Sequence, residues 1–142
     1  MAKMTRRKKA IDPASLVLEE SVLSACLDLL ELRKVKAWRT NSGLAITSRG
    51  GAIRLAPAGT ADIIGYYRCG VGRSRFLAVE VKRPVGGVVS REQIAFLTDV
   101  RDSGGIALVI NRVDNLNAAL DMLAVNPWVV FDDFWYSGRM QK

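Results

Sequence analysis

The segment Phe76-Leu-Ala-Val-Glu-Val-Lys82 constrains this chain more than any other stretch, because it reads as an extended strand carrying two charges at the end of an apolar run. Side chains alternate across a strand, so Glu80 and Lys82 share one side while Val79 and Val81 take the other. Charge on an otherwise buried strand is costly unless it is paired or bound to an ion. The segment therefore predicts a central strand with one face packed and one face free for chemistry, stopped by Pro84. The competing reading makes it an edge strand whose wet face carries Glu80 and Lys82, with Asp62 an ordinary turn residue.

The flanking sequence supplies a frame for that strand. Asp12-Pro13 or Ser15 caps a helix to about Leu32, with Leu16, Leu23, Leu27 and Leu30 forming its apolar stripe. Val35 to Trp38 reads as a short strand, and Thr40 to Gly43 as a turn opening a Gly- and Arg-rich stretch through Ala58. Asp62 to Tyr67 is a second strand, Cys69 to Ser74 a turn and Arg75 to Arg83 a third strand, which predicts an antiparallel pair. Ser90 caps the next helix with Gln93 as capping-box partner, and Gly104-Gly105 ends it. Ala107 to Ile110 is a buried strand and Val113 to Leu123 a final helix. The expected fold is α/β, a mixed central sheet flanked by helices.

Three regions follow. Residues 1–12 form a basic arm with Lys3, Arg6, Arg7, Lys8 and Lys9, drawn to phosphates or merely solubilising. Residues 13–126 form the main domain. Residues 127–142 are an aromatic segment with Trp128, Phe131, Phe134, Trp135 and Tyr136, which either completes the core or makes an oligomer contact.

Charge and residue usage narrow the function. Twenty-one Lys and Arg against fourteen Asp and Glu give a formal charge of +7, which favours a polyanionic partner such as nucleic acid. No apolar run approaches the roughly 20 residues that span a bilayer, so a cytoplasmic protein without membrane contact is expected. The sequence contains no histidine, and Cys26 and Cys69 lie far apart, one on a helix and one in a loop. Common Cys/His zinc sites and histidine acid–base chemistry are thereby excluded. Carboxylates, lysine and a hard, oxygen-liking metal remain.

Asp62 and Glu80 offer two carboxylates, and the main-chain carbonyl of Val81 a third oxygen, which suits Mg2+, with Mn2+ as substitute. Such an ion gathers water and a phosphate oxygen for phosphodiester hydrolysis. Lys82, on the same side, would orient or help deprotonate the attacking water, or neutralise charge on the phosphate.

Arg39-Thr-Asn-Ser-Gly43, Gly59-Thr-Ala-Asp62, Phe76 to Pro84 and Ser90-Arg-Glu-Gln93, in this order and spacing behind an acidic first helix, resemble the VRR-NUC group of the PD-(D/E)xK nuclease superfamily. The resemblance spans roughly Glu20 to Leu120. It implies a restriction-endonuclease-like core, with Asp62 and Glu80 as metal-binding acids, Lys82 as catalytic lysine and Gln93 as a helix glutamine near the site. Glu20 resembles the first-helix glutamate that reaches the metal's outer waters. Glu19 competes for that role, and the helical stripe through Leu23 and Leu27 favours Glu20. The family usually has proline before its metal-binding aspartate, and this chain has Ala61 there.

Small stand-alone members resemble structure-selective nucleases encoded by phages, which would act in a bacterial host cell, and the superfamily includes Holliday-junction resolvases. Two symmetric cuts would require a homodimer. Arg39, Arg49, Arg54 and Arg83 are candidates for DNA phosphates, and Asn41 and Ser42 for a loop beside the scissile bond. No base-reading module is present, so branched or otherwise structured DNA is the expected partner. The alternative is a basic DNA-binding or assembly protein that keeps this fold without catalysis.

Overall fold

Helix α1 (Pro13–Leu32) opens the computed structural model, which describes residues 13–41 and 43–134. A buried row of Leu23, Cys26 and Leu30 runs along it. Its end is a Schellman motif. Lys34 takes a left-handed φ of 58°, its N–H donates to the Glu31 carbonyl, and the Val35 N–H donates to the Leu30 carbonyl, each at 2.9 Å. The chain then gives β1 (Lys36–Arg39), β2 (Leu44–Ile46), β3 (Ala52–Arg54), β4 (Ile63–Gly70), β5 (Arg73–Val81), α2 (Arg91–Asp102), β6 (Ile106–Ile110) and α3 (Val113–Val125).

The main sheet has the order β1-β4-β5-β6. β1 pairs antiparallel with β4, β4 antiparallel with β5, and β5 parallel with β6, with α2 as the crossover between them. The sheet is therefore mixed, as expected. Its two faces bury different helices. Leu77, Val79 and Val81 join Leu108 and Ile110 in a cluster with Leu23, Cys26 and Leu30 of α1 and Leu116, Leu120 and Leu123 of α3. Ala78, Ala107 and Val109 pack with Leu97 and Val100 of α2 on the other face. β5 is thus a central strand buried on both faces, and the edge-strand reading fails for it. Glu80 and Lys82 lie on the α2 side, opposite Val79 and Val81.

The Gly- and Arg-rich stretch, to which the sequence assigns no element, folds from Leu44 to Arg54 into an antiparallel hairpin, β2 with β3, separate from the main sheet. Two expectations are corrected. The turn predicted from Cys69 to Ser74 is tighter, because β4 continues to Gly70 and β5 begins at Arg73. Cys69 consequently sits in a strand at a register shift between Arg68 and Gly70, not in a loop.

The start of the aromatic segment is fastened from inside. Arg75, only 5% exposed, donates to the carbonyls of Gly104, Gly105, Pro127 and Val129 at 2.7–3.1 Å. Burial lowers its pKa, and four carbonyls take the place of a counter-charge. Val129 and Phe131 pack on the α1–α3 core, and the Phe134 carbonyl accepts from the Val109 N–H of edge strand β6 at 2.7 Å. Residues 1–12, Ser42, Trp135 and Tyr136 lie outside the described residues.

Candidate functional site

The carboxyl ends of β1 and β5, the loop before β4 and the first turn of α2 meet around Glu80. The meeting begins with Thr40, just past β1, whose N–H donates to the Asp62 carbonyl at 2.8 Å. Its hydroxyl also donates to the Ala61 carbonyl. Thus pinned, Asp62 turns its side chain toward β5, where Oδ2 accepts from the Val81 N–H at 2.8 Å. A residue's N–H and C=O face the same neighbouring strand, so the Val81 carbonyl lies on the Asp62 side.

Gly59 sets the approach from the loop. Its φ is +82°, and a Cβ there would overlap the Glu92 carbonyl and press on the Gln93 nitrogen in the first turn of α2. Glycine is required twice over, by conformation and by space. The close approach seats α2 so that Gln93 reaches β5.

Gln93 uses both ends of its amide. Oε1 accepts from the Ser90 N–H at 2.8 Å, completing a capping box, and from Lys82 Nζ at 3.0 Å. Nε2 donates to Glu80 Oε1 at 2.7 Å. Lys82 Nζ also lies 3.2 Å from Glu80 Oε1. The other oxygen, Glu80 Oε2, is buried without a hydrogen-bond partner.

That orphaned oxygen is the unsatisfied group of the cluster. Burial, then the charge of Asp62, push the Glu80 carboxyl up to about 8, with Lys82 pulling the other way. Two ionised carboxylates are both acceptors and cannot satisfy each other. A shared proton or a cation between them resolves the conflict. Among the described residues no group of three or more Asp, Glu, His or Cys gathers to hold a metal. An ion held here would take the two carboxylates of Asp62 and Glu80 and the Val81 carbonyl as its protein ligands, with water filling the other positions.

Other predicted residues lie further out. Glu20 does not face the sheet with Leu23. It is exposed and held by Arg39 in a two-pronged ion pair, Nη1 to Oε2 at 3.0 Å and Nη2 to Oε1 at 2.8 Å. The reason is spacing, since the stripe that α1 buries runs Leu23, Cys26, Leu30 and leaves position 20 at the helix flank beside β1. Glu19 is half-buried. The Arg39 guanidinium is held above its ordinary pKa, chiefly by Glu20 and in small part by the charge of Asp62. Arg39 is thus paired with Glu20 and feels the charge of Asp62. Arg49 and Arg54 are exposed on the hairpin, Asn41 is exposed at its base, and Arg83 donates to the Gly86 carbonyl at 3.1 Å.

Sequence reasoning missed Thr40 as the clamp on Asp62 and Gly59 as the seat of α2. The motif Gly59-Thr-Ala-Asp62 carried a signal for the second, but only the fold shows what the glycine touches. No helix of the described residues is long and apolar enough to cross a membrane. The chain matches no protein-family model and no curated protein.

Proposed function

We propose that this protein is a divalent-metal-dependent deoxyribonuclease that hydrolyses phosphodiester bonds in branched or otherwise structured DNA. One observation carries the reading: Glu80 Oε2 is buried without a partner beside a second carboxylate, at the end of a strand that also presents a lysine. Asp62, Glu80 and the Val81 carbonyl would hold Mg2+ or Mn2+. Such an ion, when bound, polarises the phosphate and lowers the pKa of water.

The protein's own groups do the remaining work. Gln93 restrains the rotamer of Glu80 and accepts from Lys82 Nζ at 3.0 Å, so that the ammonium is shared between the Gln93 amide oxygen and Glu80 Oε1 at 3.2 Å. Lys82 is the group placed to orient an attacking water and to offset charge on the phosphate. The Thr40 clamp and the Val81 N–H keep Asp62 from turning away. Arg49, Arg54 and Arg83 supply phosphate contacts that position DNA without reading bases. Glu20 is held by Arg39 and would join the site only by giving up that ion pair. On a four-way junction two symmetric cuts would be made by a homodimer.

Cleavage of a branched and a linear duplex, with Mg2+ or Mn2+, by wild type and Glu80→Ala tests the reading. Wild type should cut and Glu80→Ala should not, while both bind with an affinity that falls steeply as salt rises. Wild type that binds both substrates and cuts neither would leave a DNA-binding or assembly protein.

A further inference from the structure

The β2–β3 hairpin is an exposed apolar ribbon that belongs to neither core cluster. Leu44 is 65% exposed and Ile46 82%. Register pairs Leu44 with Arg54 and Ile46 with Ala52, so these four side chains share one face of the ribbon. The other face carries Ile53 and Leu55, 55% and 50% exposed. Two-stranded ribbons are marginal alone, and exposed apolar patches of this kind mark contact surfaces.

Position and charge identify what the ribbon meets. The chain leaves the site at Thr40 and returns at Asp62, and the Thr40 N–H to Asp62 C=O bond closes the base of the excursion. The hairpin therefore springs from a base anchored at Asp62. Between Thr40 and Ala61 the sequence contains Arg49 and Arg54 and no Asp or Glu. A second copy would bring the same positive segment and a formal charge of +7, which opposes self-association through this face. A phosphate backbone complements it, and aliphatic side chains flanked by arginines match the wedges that enter unstacked base steps.

We propose that this hairpin is a wedge for DNA junctions. Leu44 and Ile46 enter at the unstacked bases of a branch point, and Arg49 and Arg54 hold the adjoining phosphates, so that the bond beside the branch is delivered to the site. The proposal rests on the DNA-cutting reading above and supplies its substrate preference.

The test uses the full chain carrying Glu80→Ala to prevent cutting, and a four-way junction with a fluorescent adenine analogue at the branch. Binding should raise the probe's fluorescence as the base unstacks. Adding Leu44→Ser and Ile46→Ser should abolish the rise and lower the ratio of junction to linear-duplex affinity by about tenfold or more, the scale set by two buried aliphatic side chains. Adding Arg49→Ala and Arg54→Ala instead should weaken both complexes and flatten their salt dependence. Junction binding with no fluorescence change overturns the wedge and leaves the nuclease reading standing. Absence of any DNA binding overturns both. If the serine variant keeps the rise but shifts a dimer to monomer in light scattering, the face belongs to a second copy and the wedge is overturned.

Discussion

Replacing Glu80 by Gln should stabilise the metal-free protein while abolishing the proposed cleavage. The folded state raises this carboxyl from an ordinary 4.5 to about 8, because it is buried and faces Asp62. Between those values the folded protein binds a proton that the unfolded chain releases, so stability falls as pH rises. At about 1.4 kcal/mol per pKa unit the loss reaches about 5 kcal/mol above pH 8 as a ceiling. Glutamine removes the charge, and its amide would still offer an oxygen to Gln93 Nε2 and a donor toward Asp62. Lys82 would lose an ionic partner, which trims the expected gain to about 2–4 kcal/mol at pH 8.5. Urea unfolding in EDTA, at pH 5 and pH 8.5, measures it. The variant should exceed wild type by little at pH 5 and by the full gain at pH 8.5. Adding Mg2+ should narrow the gap at pH 8.5 by stabilising wild type alone. A difference that does not grow with pH, or a variant less stable at pH 8.5, refutes the argument that Glu80 is a strained ligand.

Asp62→Ala should remove cleavage and leave most DNA affinity, checked by nuclease and binding assays on one preparation; parallel loss of folding would make the aspartate structural. Gly59→Ala should cost about 2–4 kcal/mol in urea unfolding, because a Cβ meets the Glu92 carbonyl in a left-handed loop. Arg75→Met should cost about 3 kcal/mol or more by the same measurement, since four inward carbonyls lose their donor. Lys34→Gly, at φ 58° beyond the end of α1, should raise Tm through a gain of about 1 kcal/mol, with cleavage unchanged.

The site was legible where the signal was local. Alternation along Phe76 to Lys82 placed Glu80 and Lys82 on one side because strand geometry leaves no other choice, and Ser90 with Gln93 announced a capping box that the structure contains. The hairpin escaped because β2 and β3 are three residues each and exposed on both faces, so no buried periodicity marks them. Thr40 escaped for a different reason. Its partners Ala61 and Asp62 are joined to it only by the pairing of β1 with β4, and nothing about a threonine after Arg39 announces that. Glu20 shows the limit of a stripe argument: the expected stripe runs through Leu23 and Leu27, the buried one runs Leu23, Cys26, Leu30, and that rotation leaves position 20 on the flank, where Arg39 of the neighbouring strand takes its carboxylate.

Gln93 caps its own helix and also contacts Glu80 and Lys82, two arrangements that the sequence leaves as alternatives. An amide has an acceptor end and a donor end, and the two are used separately. Its oxygen ties the Ser90 N–H and Lys82 to one point, and its nitrogen restrains Glu80 Oε1. The capping bond that starts α2 therefore also sets the rotamer of the carboxylate on β5. Gly59 extends the linkage, since the loop that ends in Asp62 lies against the same helical turn. Asp62 and Glu80 are thus positioned by one helix start, from two sides, and neither can shift without disturbing it. Such coupling explains how a buried carboxylate that opposes its own ionisation is kept in place: the elements around it are secured by bonds that do not depend on its charge.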